Sequence, residues 1–514
     1  MSSPGSTTTR RRRAGVLLHP SSLPGPHGIG DLGPAARRFA DFLAGAGQAV
    51  WQVLPLAPTG YGDSPYQALS AFAGNPLLLS LDDLCAEGWL ARDELAAPPF
   101  PAGEVDYARA GPWKARLLAR AAERFAARAG AREREELAAF REREAAWLGD
   151  AALYLALKDR HRGDPWFAWE PPLARREPGA LSTARRELAA EIDAQVFSQW
   201  MFDRQWQRLR EHARAGGVAL MGDLPIYLAH DSAEVWARPA LFCLDGAGRP
   251  LVVAGVPPDY FSATGQLWGN PLHDWAAQAA DGYRFWIERM RHDLRLFDEV
   301  RLDHFRGFEA YWEVPAGATT AEGGRWVEGP GAALFEALGE ALGPLPLVAE
   351  NLGVITPGVE ALRRRFGFPG MAILQFAFGN DPQADSFKPH NYARDLAAYT
   401  GTHDNDTVLG WWASRAGAGS TRTAADIEAE REHAKAYLAT DGQAMNWVLL
   451  RGVYASVADL AMAPLQDALG LGSEGRMNTP ATASGNWRWR VRERALAPAV
   501  ARRLRELARL YGRC

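Results

Sequence analysis

The chain has 514 residues, of which 47% are apolar and 23% are charged, and this composition excludes a mainly disordered or collagen-like protein. Its 57 Lys and Arg residues nearly balance 61 Asp and Glu residues, giving a formal net charge of -4 at pH 7. The chain therefore lacks the excess of positive charge that is typical of proteins that bind nucleic acid or an anionic membrane surface. No uninterrupted run of about 20 apolar residues predicts a membrane-spanning helix.

The three cysteines are widely separated and form no CxxC pair, so the sequence predicts neither a disulfide framework nor a structural zinc site. A reducing cytoplasm is therefore the expected location. The arginines at residues 10–13 precede an apolar run that ends at His19 and is too short for an export signal. We expect residues 1–13 to form a disordered tail before the folded chain.

Eight short apolar segments, separated by loops and helix-like patterns, are typical of parallel βα units. In chain order they are residues 14–19, 49–54, 218–223, 299–305, 346–350, 371–376, 396–404 and, most weakly, 459–465. Eight units form a closed (β/α)8 TIM barrel, whereas an open doubly wound sheet more often has a GxGxxG loop after its first strand. Because that loop is missing, the sequence predicts an α/β protein with a single TIM barrel over residues 14–514.

Three stretches are too long for ordinary connections between the elements of a barrel. Residues 59–217 separate the second and third strands, which predicts a large helical insertion there. Further loop insertions are expected at the C-terminal face of the barrel, at about residues 231–271 and 309–345. The first of these loops is rich in glycine, proline and aromatic residues, which favours a functional loop.

Acidic side chains end four of the predicted strands, at the face where TIM barrels hold their chemistry. They are Asp223, Asp303, Glu350 and Asp404. Arg301 lies two positions before Asp303, on the same strand face, and its charge favours an ionised carboxylate that can act as a nucleophile. Glu350 follows an apolar run, a setting that raises the pKa of a carboxyl group towards that of a general acid. One charged and one protonated carboxyl group are what glycoside cleavage requires.

Structural explanations compete with this hypothesis. Arg301 and Asp303 taken alone would form an internal ion pair, and His403 taken alone would be an ordinary core histidine. Aromatic residues in loops favour the sugar hypothesis, because pyranose rings stack on aromatic rings. The candidates are Tyr66, Tyr260, Phe261 and Trp268. HxH and HExxH spacings do not occur, so no metal site is predicted.

Three blocks of sequence around these acids carry a family resemblance. They are residues 301–308 (RLDHFRGF), 349–353 (AENLG) and 401–407 (GTHDNDT), and they resemble the catalytic blocks of the amylomaltase, or disproportionating enzyme, family of 4-α-glucanotransferases. Further segments resemble motifs of the same family: residues 19–24 (HPSSLP), 62–67 (GDSPYQ), 222–227 (GDLPIY), 265–271 (GQLWGNP) and 476–478 (RMN). The resemblance covers nearly the whole chain, while residues 479–484 depart from the usual pattern beside Asn478.

The resemblance implies a barrel of the α-amylase superfamily that transfers α-1,4-glucan segments by a retaining double displacement, without a cofactor or a metal ion. It implies that Asp303 is the nucleophile, that Glu350 is the acid/base and that Asp404 stabilises the transition state. The implied substrate-binding residues are Tyr66, Asp223, Gln266, Trp268, Arg301, His304, His403 and Asn478. The implied donors and acceptors are maltooligosaccharides, starch or glycogen fragments and glucose.

Two alternatives stay open from the sequence. A net α-1,4-glucan hydrolase on the same barrel would use the same three acids. A non-catalytic glucan-binding barrel would keep the aromatic residues but would have no need of all three acids.

Overall fold

The computed structural model describes residues 11–258, 262, 264–417 and 422–514. Within these residues the strands, numbered in chain order, are β1 (Arg13–Leu17), β2 (Val50–Gln52), β3 (Ala219–Pro225), β4 (Val252–Val256), β5 (Gln266–Pro271), β6 (Glu299–Asp303), β7 (Ala310–Pro315), β8 (Arg325–Glu328), β9 (Leu347–Ala349), β10 (Gly370–Ile373), β11 (Leu396–Tyr399) and β12 (Leu460–Pro464). They form an eight-stranded parallel sheet and a four-stranded antiparallel sheet.

The parallel sheet is a closed barrel with the strand order β10-β11-β12-β1-β2-β3-β6-β9. The barrel closes between β9 and β10, the two ends of that order. There the N–H of Ala349, in β9, donates to the carbonyl of Pro369, which directly precedes β10, at 2.8 Å. The predicted (β/α)8 TIM barrel is therefore confirmed, and each of the eight apolar segments overlaps one of its strands. Strands buried on both faces need apolar residues at nearly every position, which explains why they appear as short apolar runs in the sequence.

Helices surround the barrel and fill the long connection between β2 and β3. They are α1 (Pro34–Gly45), α2 (Leu81–Ala86), α3 (Tyr107–Arg128), α4 (Ala131–Arg143), α5 (Leu148–Arg160), α6 (Pro171–Ala174), α7 (Pro178–Glu187), α8 (Ala189–Ala215), α9 (Ala233–Ala237), α10 (Trp275–Ala280), α11 (Arg284–Leu296), α12 (Gly331–Leu342), α13 (Pro357–Arg365), α14 (Val408–Ala413), α15 (Ala424–Leu438), α16 (Met445–Ala455), α17 (Leu465–Leu469) and α18 (Pro498–Leu510). Helices α2 to α8 lie between β2 and β3. No helix in the described ranges is long and apolar enough to cross a membrane.

The helices between β2 and β3 hold the loop that follows β3. Asp231 in that loop accepts hydrogen bonds from the Tyr154 hydroxyl and from Nζ of Lys158, both at 2.6 Å. Nε1 of Trp166 donates to the carbonyl of His230 at 2.7 Å. Residues of α5 and of the turn after it therefore determine the position of a loop at the C-terminal face of the barrel.

The four-stranded sheet joins two of the predicted loop insertions. Its order is β5-β4-β7-β8, so strands from the segment after β3 pair with strands from the segment after β6. We expected loops in both places, and their pairing is a finding of the structure. The sheet places Gln266 and Trp268, two positions apart on β5, on one face.

Two predicted boundaries differ from the structure. Arg12 donates to the carbonyl of Tyr511 at 2.7 Å and Arg13 begins β1, so the fold starts within the stretch that we assigned to a tail. The seventh strand ends at Tyr399, so Asp404 lies in the following loop and not at the end of the strand. The sequence did not show where this strand ends, because no proline follows Tyr399 to mark the end of the strand.

Candidate active site

Arg301 joins two carboxylates at the ends of neighbouring strands. Residues Asp223 of β3 and Arg301 of β6 are register partners, and Nη1 of Arg301 lies 2.7 and 2.8 Å from the carboxylate oxygens of Asp223. The same nitrogen lies 2.9 Å from Oδ1 of Asp303. Burial opposes the charge of Arg301, but both carboxylates raise its pKa above the ordinary value. The Asp303 side chain remains 27% exposed and is the one of the two that a ligand can reach.

Glycine at position 222 lets β3 lie close to the chain that leads into β6. A Cβ atom on Gly222 would come within 2.2 Å of the Phe297 ring. A larger residue would therefore force β3 and the Asp223 carboxylate away from Arg301.

Tyr66 connects this ion network to the loop after β11. Its hydroxyl donates to Oδ2 of Asp223 at 2.9 Å, and its ring stacks on His403 with ring centroids 5.0 Å apart. Burial and the Asp223 carboxylate raise the pKa of Tyr66 well above its ordinary value. The hydroxyl therefore stays protonated and remains a hydrogen-bond donor.

Glu350 directly follows β9 and is held by two backbone groups. Its Oε2 accepts the N–H of His304 at 2.8 Å, and its Oε1 accepts the N–H of Leu352 at 2.7 Å. Burial, with a smaller effect of Asp303, raises the pKa of Glu350 to about 7, although Arg301 opposes the shift. The side chain can therefore both donate and accept a proton near neutral pH. The opposing effect of Arg301 comes from the neighbouring strand and is invisible in the sequence around Glu350.

His304 has the left-handed backbone conformation, with φ 52° and ψ 50°. This conformation is uncommon for a residue other than glycine and costs about 1 kcal/mol or more. It directs the N–H of His304 to the Glu350 carboxylate, so the strain serves the geometry of the site. Burial lowers the pKa of the His304 ring to about 4, and its buried Nε2 has no hydrogen-bond partner within the described residues. The neutral ring can therefore bind a ligand hydroxyl.

Asp404 lies in the loop after β11 and is held in its ionised form. Its Oδ1 accepts a hydrogen bond from Nδ2 of Asn478 at 2.6 Å, and its Oδ2 lies 3.3 Å from Nε2 of His403. Desolvation opposes the charge of Asp404, but His403 and Asn478 lower its pKa below the usual range. Desolvation likewise opposes the charge of His403, but Asp404 raises its pKa. Asp404 therefore favours the protonated form of His403, beside Tyr66.

Trp268 extends the site from β5 of the antiparallel sheet. Its Nε1 donates to Oε1 of Gln266 at 3.2 Å, and its ring makes an edge contact with His304 at a centroid distance of 4.8 Å. The predicted site residues therefore form two contact groups, one around Arg301 and one around His304, and these groups meet at the adjacent residues Asp303 and His304. The other two aromatic candidates, Tyr260 and Phe261, lie outside the described residues.

Two supporting residues were not predicted from the sequence. Asp467 accepts the Thr400 hydroxyl at 2.6 Å and the N–H of Val408 at 2.7 Å, and so holds both ends of the loop that carries Asp404. Trp487 lies with its ring centroid 5.9 Å from the ring centroids of Tyr66 and His403. Its place in a Gly-Asn-Trp segment shortly after Asn478 is the one signal that could have indicated it.

No group of three or more His, Cys, Asp or Glu residues in the described part of the chain is arranged to hold a metal ion. The arrangement instead brings together a reachable carboxylate, a carboxyl group with a pKa near neutrality and an ionised third carboxylate. Aromatic rings and amide groups border them. These are the groups that bind and cleave glycosidic bonds.

Comparisons with known proteins identify the family. The family described as 4-alpha-glucanotransferase matches residues 18–496. The chain is 52% identical to a 4-alpha-glucanotransferase of Thermus thermophilus, over 97% of this chain and 98% of that protein. It is 49% identical to one of Synechocystis sp., over 98% of each chain.

A solved structure agrees with these sequence matches. An amylomaltase from Streptococcus agalactiae, solved in complex with acarbose, superposes with a TM-score of 0.92. The two sequences are 37% identical, and the match covers 98% of this chain and 100% of that one. The chain belongs to the 4-alpha-glucanotransferase family.

Proposed function

We propose that the protein transfers a segment of an α-1,4-glucan from a donor chain to the 4-hydroxyl of an acceptor glucan or glucose. One observation carries the proposal: Glu350, with a pKa of about 7, is hydrogen-bonded to the residue that follows Asp303, which is paired with Arg301. A proton donor and an anionic nucleophile therefore lie side by side. This combination supports a retaining double displacement.

In the first step the Asp303 carboxylate attacks C1 of the donor sugar. Glu350 gives its proton to the glycosidic oxygen while the C1–O bond breaks, and the leaving chain departs with a free 4-hydroxyl. The products are a glycosyl ester on Asp303 and an ionised Glu350. The N–H groups of His304 and Leu352 stabilise that carboxylate.

In the second step the 4-hydroxyl of an acceptor gives its proton to Glu350 and attacks C1. The ester bond breaks, the new α-1,4 linkage forms and the Asp303 carboxylate is restored. Asp404, ionised beside His403, accepts hydrogen bonds from sugar hydroxyls as positive charge develops on the ring. Tyr66, His304 and Asn478 orient the sugar, and the buried Asp223 holds Tyr66 and Arg301 in place.

Transfer requires that an acceptor sugar outcompetes water for the Asp303 ester. Trp268 covers the side of the site where it contacts His304, and Gln266 holds its ring nitrogen. A fixed aromatic surface there orients a sugar and displaces water, and orientation lowers a barrier by several kcal/mol. This arrangement favours a transferase over the alternative, a net hydrolase.

Incubation of the purified protein with maltotriose alone tests the proposal. Transfer gives glucose together with a ladder of longer maltooligosaccharides, whereas hydrolysis gives maltose and glucose without longer products. Absence of any product would leave a non-catalytic glucan-binding barrel. Asp303→Asn is the control that shows whether the products arise at this site.

We further propose a cytoplasmic location and α-1,4-glucans as the physiological partners. The location is supported by Cys85, Cys243 and Cys514, which are free thiols in the structure. The partners are supported by the family and by the aromatic and carboxylate character of the site.

A further inference from the structure

Trp326 is an exposed aromatic residue that is nevertheless held in a fixed position. It lies on β8, an edge strand of the antiparallel sheet, and is 39% exposed. The guanidinium of Arg306 lies over its ring, 3.7 Å from the centroid. Trp312, its register partner on β7, packs edge-on at 5.1 Å. Arg306 covers one face of the ring, and the remaining exposure leaves a rigid apolar surface open to a ligand.

Arg306 connects the Trp326 surface to the loop that follows Glu350. It lies two residues after His304, and its Nη1 donates to the carbonyl of Val354. Val354, which is 48% exposed, lies four residues after Glu350. At about 3.5 Å per extended residue, Val354 is no more than about 14 Å from Glu350 along the chain. The surface is therefore continuous with the loops that carry both reacting carboxyl groups.

The position of Glu350 indicates that the leaving chain, and later the acceptor, lies on the side of the site that faces this surface. In the proposed function it protonates the leaving oxygen, so the leaving chain begins beside Glu350, where the loop to Val354 also begins. The acceptor later occupies the same side, because its 4-hydroxyl returns its proton to Glu350. An aromatic ring on that side offers a stacking surface to the C–H face of a glucose unit some distance from the bond that is made.

We propose that Trp326 binds a distal glucose unit of the acceptor α-1,4-glucan and so makes the enzyme prefer long acceptors over glucose. The inference rests on the proposed function and adds a binding residue to it. A purely structural role is the alternative, in which the pair of Trp326 and Arg306 only fastens β8 to the loop after Glu350. The two roles differ in their dependence on acceptor length.

The test uses one activated donor, α-maltosyl fluoride, with either glucose or maltoheptaose as acceptor. Donor loading is then common to both reactions, and the apparent KM of each acceptor reports the acceptor side alone. In Trp326→Ala the KM for maltoheptaose should rise about 2- to 10-fold, as expected for loss of one stacking contact, and the KM for glucose should rise less. Trp326→Tyr keeps a ring and should retain most of the preference for maltoheptaose.

Trp447→Ala is a matched control. Trp447 on α16 also carries a guanidinium over its ring, that of Arg503 on α18 at 3.9 Å, but it lies on the outer helices. Its loss should leave the ratio of the two KM values unchanged.

Equal losses with both acceptors in Trp326→Ala would assign the residue a structural role and overturn the inference. Unchanged values for both acceptors would also overturn it. If the unmodified enzyme transfers maltosyl groups to neither acceptor, the proposed function itself fails, and this result is distinct from the other two.

Discussion

The backbone N–H of His304 donates to Oε2 of Glu350 at 2.8 Å, across the gap between the strands that carry the two reacting carboxyl groups. His304 is also the neighbour of Asp303, so a single peptide unit links the proposed nucleophile to the proposed acid/base. The left-handed conformation of His304 is what directs this N–H to the carboxylate. A retaining mechanism requires the Asp303 and Glu350 carboxyl groups to lie about 5 to 5.5 Å apart.

The pKa of Glu350 predicts the alkaline side of the activity profile. With maltotriose as donor, the kcat/KM should fall as the pH rises above about 7, because Glu350 must be protonated to donate its proton. The first-turnover release of fluoride from α-maltosyl fluoride needs no strong acid and should fall less. An alkaline decline that is equally steep with both donors would contradict the assignment of Glu350.

The same pKa predicts how Glu350→Gln affects stability. The folded-state pKa of about 7 is raised above the ordinary value of 4.5, so the free energy of unfolding falls as the pH rises through this interval. Glutamine cannot ionise and avoids this loss. Thermal unfolding should therefore show a larger gain, or a smaller loss, in Tm for Glu350→Gln at pH 8 than at pH 5. The opposite trend would mean that Glu350 is stabilised as an anion.

Asn478 should support turnover by holding Asp404. Asn478→Ala removes the 2.6 Å hydrogen bond to Oδ1 of Asp404 and should lower kcat by about 10-fold, a typical effect for a hydrogen bond to a charged group. The matched control is Asn380→Ala, which removes a 2.9 Å hydrogen bond to Asp426 on α15, away from the site. Steady-state kinetics on maltotriose compare the two variants, and equal effects on kcat would contradict the proposed role of Asn478.

Trp268 should control the choice between transfer and hydrolysis. Trp268→Ala opens the surface beside His304 to water, so the ratio of chain elongation to hydrolysis on maltotriose should fall more than the rate of donor cleavage. Trp268→Phe keeps an aromatic surface, so its ratio of elongation to hydrolysis should lie between those of the unmodified enzyme and Trp268→Ala. If Trp268 only packs its loop, cleavage and elongation will fall together and the ratio will stay the same.

The barrel and the acids were predictable because their signals are local. A strand buried on both faces gives an apolar run, as at Leu347–Ala349, and a polar residue directly after the run marks its catalytic end. Arg301 and Asp303 share a strand face because they are two residues apart. Elementary geometry therefore placed Asp303 and Glu350 at one face of the barrel, while the resemblance supplied the roles of most other residues.

The rest depends on contacts between distant segments. Val253 of β4 pairs with Val314 of β7, and no turn signal in the sequence joins two strands so far apart. Asp467 supports the loop of Asp404 from the following βα unit, a role that only the closed barrel defines. The left-handed conformation of His304 has no sequence signal either, because histidine adopts it more often than most residues but still in only a minority of cases.

Trapping the covalent intermediate tests the central claim most directly. Glu350→Gln loaded with α-maltosyl fluoride lacks the base that activates an acceptor, so the glycosyl ester should accumulate. Peptide mass spectrometry should find the added maltosyl mass on the peptide that contains Asp303, and the double variant with Asp303→Asn should show none. A sugar ester on any other residue, or turnover of the fluoride without an ester on Asp303, would contradict the account.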